Sequence, residues 1–465
     1  MKTSDAFKLI VQIENSVDTN VFTWKNFNTW PLVRQILWFE LTSTNQNRDK
    51  VKRNSLLFEI FRKIKGLAVV IFNLISTGKT NKNDTKIFIS RSVYLQRLPS
   101  GQYFDRIMDP IILSLEDRGV ISKYYVSRTL KRSQLSIPSL IFKPSYLFLR
   151  INEFSVEQQS VIQQISDISD VSAKELLKKY KSNLNIFVQW FNGAKKILNN
   201  KINLEEIYLT SWYFPDMMGI CAAANELGIK TIDVQHGKQG KYQAMYSGWT
   251  KIPEDGYAVM PDRFWCWGQP SCNHILASSP KRRTHTPFIG GYPWINYYKE
   301  NLTLIDSKIS DNTIRVLVTI QPPQGGNTER IPDFIVDFLL SNQIEDINFT
   351  FRIHPNDVEG RSYCLNRLSS ISPDTYTMDF GKSNLYDAFM TSTHHITAYS
   401  SCCYEANVFS VPTLLFGSEA KDIYEDDIKS GIFVWTNGTV SDLKGWLCVE
   451  QKPKQKIGSY IEVEN

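Results

Sequence analysis

From Lys86 onward the chain alternates short apolar runs with segments of helical length, and this rhythm constrains the fold more than any other feature. KIFIS at Lys86 reads as a strand. A helix at Ile111–Asp117, a strand at Ser122–Val126 and a long helical region over about 155–200 follow. From Glu206 the alternation is sharp: strand EIYLT, helix DMMGICAAANELG closing on Gly228 as a C-cap, strand KTIDV. DRFWCWG and HTPFIGGYP supply two more strands. A polar segment at about 297–313 reads as an interdomain linker, and the rhythm then restarts with IRVLVTI, IPDFIVDFLLSN and INFTFRI. TYTMDF, NLYDAFMTS, HITAYS, SCCYEANVF and PTLLFG continue it, and SDLKGWLCV reads as a final helix. Strands separated by helices imply parallel sheets with right-handed crossovers. The expected class is α/β: two Rossmann-type domains whose parallel sheets face each other across a cleft. The first spans 1–296 with a helical extension over residues 1–45, the second 314–440, and 441–465 form a C-terminal helix and tail.

A chain of 465 residues exceeds one typical core, which fits two domains. Hydrophobic residues at 42% and charged residues at 22% are globular values. The formal charge of +6 suits an anionic substrate or membrane surface and is too small to argue for nucleic acid. Seven scattered cysteines without a CxxC pair form neither a disulfide framework nor a zinc site, which predicts a reducing, cytoplasmic setting. The N-terminus lacks the apolar core of a signal peptide, and the longest apolar stretch, Leu67–Ile75, is about half a membrane span. Residues 50–76, rich in Leu and Phe with Arg62, Lys63 and Lys65, read either as a helix on an anionic bilayer surface or as one packed on its domain.

Two strand ends carry residues suited to an anion. Asn348–Ile353 is followed by His354 and Pro355, and Ile396–Tyr399 by Ser400 and Ser401 just ahead of a helix. A helix N-terminus offers unpaired N–H groups and a positive dipole end, and open α/β sheets bind ligands beyond the carboxyl ends of their strands. Serine there is also a common structural cap. As a pair in consecutive β/α units, the two ends favour a nucleotide-phosphate site. The run after IRVLVTI, with Gln321 and the Gly325–Gly326 pair, lets the backbone approach a ligand or simply makes a turn.

FRIHP, YSSCCYEA with PTLLFG, and KTIDVQHGKQGKY followed by PDRFWCWG and IGGYPW resemble motifs of GT-B-type glycosyltransferases that build bacterial cell-surface polysaccharides such as capsule or O-antigen. The first two resemble the His-Pro and serine motifs of sialyl- and Kdo transferases. The resemblance covers roughly residues 205–417. It implies that Ser400 and Ser401 bind the donor phosphate and that His354 neutralises the departing nucleotide without metal, a form of electrostatic stabilisation. It places Glu405 near the ribose. Arg352, Pro355, Gln321, Gly325 and Gly326, with Gln235 and Gly237 from the first domain, complete the expected donor contacts.

Inverting transfer needs a base for the acceptor hydroxyl. Asp105 in SGQYFDRIMDP, Asp216 in SWYFPDMMG and His236 in QHG are the candidates, Asp105 being favoured by the resemblance. His236, just past a strand and followed by Lys238 and Lys241, is a base or a donor ligand; the residues leave both open. His394 and His395 open a strand, so one of them faces the interior, while His274 and His285 read as loop residues. Six dispersed histidines and no DxD-type signature predict no metal and no cofactor. The expected function is transfer from a nucleotide-activated sugar, of CMP type such as Kdo or a sialic-acid relative, to a growing surface polysaccharide or lipid-linked oligosaccharide. The expected place is the cytoplasm, including the inner membrane face. A nucleotide-sugar epimerase of the same fold and an inactive assembly scaffold are the competing readings.

Overall fold

The computed structural model describes residues 1–42, 81–98, 100–115, 120–125, 134–142, 144–145, 154–277, 282–302, 313–322, 329–341, 346–354, 357, 359–381, 384–449 and 460–462. They divide into two compact units. The N-terminal unit comprises Phe7–Leu41, Asn45–Tyr297 and Glu462–Asn465; the C-terminal unit comprises Met1–Ala6, Thr42–Thr44 and Tyr298–Ile461.

The N-terminal unit is built on seven parallel strands: β1 Lys86–Ser90, β2 Ile121–Tyr125, β3 Ser139–Ile141, β4 Glu206–Leu209, β5 Lys230–Val234, β6 Arg263–Cys266 and β7 Thr286–Ile289. Their order is β7-β6-β5-β4-β1-β2-β3, with every pair parallel. Ile87, Phe88 and Ile89 of β1 are all buried, as expected of a strand covered on both faces. The helices are α1 Thr3–Ser16, α2 Trp30–Thr42, α3 Met108–Ser114, α4 Val156–Ser169, α5 Ala173–Leu198, α6 Pro215–Glu226, α7 Gln269–Leu276 and α8 Pro293–Asn301. α5 buries Leu176, Tyr180, Leu184, Phe187, Val188 and Phe191, a stripe at helical spacing. It lies against α6 at Gly219, where an added Cβ would stand 2.5 Å from the Phe187 carbonyl. A Ser155–Gln158 capping box starts α4, and Gly228 at φ +70° follows the end of α6.

The C-terminal unit holds six parallel strands: β8 Ile314–Ile320, β9 Ile347–Ile353, β10 Tyr376–Asp379, β11 His394–Thr397, β12 Thr413–Phe416 and β13 Val434–Thr436. Their order is β10-β9-β8-β11-β12-β13, again all parallel. The helices are α9 Asp333–Ser341, α10 Gly360–Arg367, α11 Leu385–Met390, α12 Cys402–Val408, α13 Ser418–Ile423, α14 Glu425–Lys429 and α15 Val440–Cys448. α15 sinks Leu443, Trp446 and Leu447 into the same core as Phe334 and Phe338 of α9, so it is part of this unit's core.

Counted in chain order, the second sheet reads 3-2-1-4-5-6, and the first repeats that order with a seventh strand on its edge. This is the doubly wound Rossmann arrangement, twice over, and the α/β class expected from the rhythm is what the chain adopts. In each unit the winding reverses between the first and fourth strands, and there the carboxyl ends open a crevice. Those ends belong to β1 and β4 in one unit and to β8 and β11 in the other.

Four local expectations change. Residues 1–45 are not wholly helical: Thr23–Trp24 and Phe27–Asn28 form a small antiparallel pair around Lys25 at φ +52°. The loop after β1 carries a second such pair, Leu95–Arg97 with Tyr103–Asp105. The linker expected from 297 begins inside α8, which runs to Asn301, and the unit boundary falls between Tyr297 and Tyr298; residues 303–312 lie outside the described ones. His274 sits on α7 and not in a loop, while His285 does lie in a loop, where it is buried and accepts the Tyr257 N–H at 2.9 Å. The basic segment 50–76 lies outside the described residues. No described helix is long and apolar enough to cross a membrane.

Candidate functional site

In the C-terminal unit, Gln321 leaves β8 beside the reversal point, and its Oε1 is buried with no hydrogen-bond partner among the described residues. Ser400, three residues past β11, is buried; its Oγ accepts the Cys402 N–H at 3.3 Å. Tyr424 Oη pins this turn by donating to the carbonyls of Tyr399 and Ser400 at 3.0 and 2.9 Å. Ser401 is the N-cap residue of α12, yet its side chain makes no capping hydrogen bond. The hydroxyl is therefore not consumed by the role that usually explains a serine there. His354 follows β9 with its backbone N–H bonded to the Ile320 carbonyl at 3.1 Å, which ties the ends of β8 and β9 together and leaves the residue exposed. Gln321, Ser400 and His354 thus stand at the carboxyl ends of adjacent strands.

Two other expected donor contacts are engaged elsewhere. Arg352 forms an ion pair with Asp379, its register partner on β10, and so braces the sheet. Glu405 is not a solvated or ligand-facing carboxylate: it is buried and accepts the Tyr386 hydroxyl of α11 at 2.6 Å. The face of α12 that carries it turns toward α11. Pro355, Gly325 and Gly326 lie outside the described residues. His395 is the interior histidine of its pair, set between the hydroxyls of Thr319 and Thr413 at 2.9 and 3.0 Å. His394 is buried as well, with its ring edge-on to Trp446.

In the N-terminal unit the reversal point gathers residues from three strand ends. Arg91 follows β1, Ser211 follows β4 by two residues, and His236 follows β5 by two. Ser211 adopts φ +55°, a left-handed conformation that a serine rarely takes and that clusters at functional sites. Its Oγ shares a hydrogen bond with Tyr94 Oη at 2.7 Å and lies 3.2 Å from His236 Nε2, with Tyr213 Oη 3.4 Å from the same nitrogen. Burial pushes the His236 imidazole down to about 4, and the Arg91 cation acts the same way while the Val234 carbonyl opposes. His236 is therefore neutral at pH 7 and can accept a proton. Asp233 holds the surrounding loops: it accepts the Trp212 N–H at 3.1 Å and the Tyr246 hydroxyl at 2.9 Å, and burial raises it to about 8.

The other candidates have structural partners. Asp105 is buried; one oxygen accepts the N–H groups of Ile107 and Met108, and the other accepts the Ser90 hydroxyl. It lies just ahead of α3, which starts at Met108, three residues earlier than the sequence suggested, and its oxygens are engaged there. Asp216 pairs with Arg91 at 2.9 Å near the start of α6. Gln235 spans the ends of β5 and β6, accepting the Trp267 N–H at 2.7 Å and donating to the Gly237 carbonyl at 2.9 Å. An added Cβ at Gly237 would meet nothing within 4 Å, so no close approach requires glycine there. Arg91, Tyr94, Ser211 and Tyr213 escaped the sequence reading. The one hint was the polar SWYFP run directly after a strand. Among the described residues no group of three or more His, Cys, Asp or Glu could hold a metal ion.

No protein-family model matches the chain, and no curated protein matches it in sequence. Solved structures do. The UDP-GlcNAc 2-epimerase of Methanocaldococcus jannaschii is similar at TM-score 0.48 and 13% identity, over 81% of this chain and 95% of its own. A UDP-glucosyltransferase of Polygonum tinctorium is similar at 0.43 and 9%, over 78% and 87%. MurG of Acinetobacter baumannii is similar at 0.39 and 12%, over 78% and 89%. The likeness is one of fold.

These buried groups make stability depend on pH. Burial holds His236, His285 and His394 at about 4 and His395 at about 3, below the usual 6.5. Below 6.5 the unfolded chain binds protons that the folded chain refuses, so these four stabilise fully above 6.5 and progressively less as pH falls. Asp109 and Asp233 oppose this: burial raises them to about 6 and about 8, so the folded state holds protons that the unfolded chain has released. Each proton of difference is worth about 1.4 kcal/mol per pH unit. The histidines outnumber the carboxyls, so urea midpoints should climb from pH 4.5 to about 6.5 and ease toward pH 8 as the Asp233 proton is lost. A flat profile over pH 4.5–6.5 would contradict the burial of these histidines.

Proposed function

We propose that the protein is a glycosyltransferase that uses a nucleotide-activated sugar, of CMP type such as Kdo or a sialic-acid relative, and extends a cell-surface polysaccharide or lipid-linked oligosaccharide. The observation that carries this reading is the reversal point of the C-terminal sheet. There Ser400 and a serine not used as a cap, Ser401, follow one strand, Gln321, whose side-chain oxygen has no partner among the described residues, follows the next, and His354 follows the one beyond. Hydroxyls and backbone N–H groups suit a phosphate, and an imidazole two strands along the same sheet edge suits its departing charge. The N-terminal unit is assigned the acceptor, with His236 as the base that takes the acceptor hydroxyl proton. No step in this scheme requires a metal or a cofactor. The CMP preference rests on the pairing of FRIHP with YSSCCYEA.

A thermal-shift series with CMP, CDP, UDP and GDP tests the donor side. A ligand that binds only the folded state stabilises it by about 2.7 kcal/mol at a hundred times its Kd. CMP should raise the melting temperature most, and replacing both Ser400 and Ser401 by Ala should abolish the rise. Absence of any response at millimolar nucleotide would overturn the reading, and a response to UDP alone would replace the donor class. Nucleotide release that requires an added acceptor distinguishes transfer from epimerisation.

A further inference from the structure

The N-terminal unit contains a cationic donor that its own carboxylate satisfies only in part. Arg91 leaves β1 at the reversal point, beside the carboxyl end of β4. Its Nη2 bonds Asp216 Oδ2 at 2.9 Å, and its guanidinium carbon lies 4.9 Å from the centre of the Phe214 ring. These contacts hold the group in one orientation, since a guanidinium is a rigid fork and stacks on aromatic rings. The second terminal nitrogen, Nη1, is buried and has no acceptor among the described residues. Charged donors are seldom buried in that condition, and such a group calls for an explanation.

The surroundings narrow what Nη1 could meet. Arg91 and Arg106 both act on Tyr94 and on His236, disfavouring protonation of the imidazole, so two cations reach this group of side chains. Asp216 answers Arg91 through its other nitrogen, and Asp233 keeps its proton at neutral pH. Hydroxyls of Tyr94, Ser211 and Tyr213 line the same place, within 3.4 Å of one another or of His236 Nε2. Two nearby cations, a fixed N–H donor and several hydroxyls between aromatic rings suit an oxyanion rather than a neutral sugar hydroxyl.

We propose that this crevice binds a carboxylate or phosphate carried by the acceptor, with Arg91 Nη1 as its principal donor. The inference deepens the assignment of the N-terminal unit to the acceptor and rests on it for the word acceptor, though not for the anion. The acceptor class is then an acidic glycan, bearing uronic-type carboxylates or phosphate linkages. The anion's charge beside His236 counters the field of the two arginines, which strengthens the imidazole as a base when the acceptor is in place.

The test uses the full chain labelled with ¹⁵N in histidine, six residues in all, with the His236 resonances assigned by their loss in His236→Asn. Inorganic phosphate, glucuronate and uncharged glucose are titrated separately. The expected result is a saturable shift of the His236 signals with phosphate or glucuronate and none with glucose, weakened at least tenfold in Arg91→Gln. A shift with phosphate only selects phosphate-bearing acceptors; one with glucuronate only selects uronic acceptors. No shift with either anion, or an equal shift in Arg91→Gln, overturns the site. If Arg91→Gln fails to fold, Asp216→Asn replaces it: the amide oxygen can still accept from Nη2 and hold the guanidinium while the competing negative charge is gone, so anion binding should tighten, and weaker binding would overturn the proposal. The nucleotide response reports separately on the C-terminal unit. A chain that answers nucleotide but not anions sinks this inference alone, and the reverse pattern sinks the donor assignment alone.

Discussion

Replacing His236 by Asn is expected to lower turnover in the proposed transfer by about 10²- to 10⁴-fold, the usual contribution of a positioned general base. The apparent affinity for the donor should stay near the wild-type value. The reasoning starts from burial, which keeps the imidazole neutral down to about pH 4. A neutral ring has a lone pair to offer at pH 7, and Nε2 is the nitrogen that faces hydroxyls, with Ser211 Oγ at 3.2 Å. Asn keeps a polar group of similar size near Ser211 and Tyr213 but cannot take a proton. Initial rates at saturating and limiting donor separate the two parameters. A variant that loses donor binding while keeping its turnover would show that His236 is a ligand and not a base.

The second large effect is on stability. Glu14→Ala should destabilise the N-terminal unit by about 3–5 kcal/mol, because removing one partner strands a buried charge. Arg34 and Glu14 are both fully buried and 2.7 Å apart. Glu14 also accepts the Trp30 indole N–H and the Thr250 N–H, at 2.9 and 3.1 Å. Arg34 lies over the Trp249 ring and donates to the carbonyls of Ala244, Ser247 and Gly248. Burial pulls the guanidinium's pKa down and Glu14 works against that, so the carboxylate offsets part of the cost of burying the cation. Urea denaturation measures the loss; a change below about 1 kcal/mol would mean that the pair is better solvated than it looks. Replacing Arg34 by Met in the same chain should recover much of the loss, since an apolar pair can match a buried ionic one.

The β/α rhythm was legible because parallel strands are apolar on both faces, and KIFIS, IRVLVTI and PTLLFG stand out against polar turns. The strand ends bearing Gln321, His354 and Ser400 could be found by following that rhythm to its carboxyl edges. What could not be read was what each polar side chain would meet. Asp105 met the Ser90 hydroxyl and the backbone just ahead of α3 because the chain folds back there, and Glu405 met Tyr386 because α12 turns one face to α11. Gln235 bridges to Trp267, thirty-two positions on. Arg91 was invisible for a deeper reason: a lone arginine after a strand means little until β4 is known to lie beside β1. Ser211 was hidden similarly, since its significance is a backbone angle and a neighbour at position 236.

The strand order also sets a schedule for biosynthesis. β1 is an interior strand of its sheet, between β2 and β4, and its Lys86 meets Glu206 across a separation of 120 residues. At about 5–20 residues per second, a ribosome needs roughly 6–24 s to deliver that partner. Throughout that interval one edge of Ile87, Phe88 and Ile89 lacks its neighbour, although all three are buried in the finished protein. An unpaired apolar edge is a template for association with other nascent chains. Soluble yield should therefore respond to growth temperature and chaperone supply more than to any change at the protein surface.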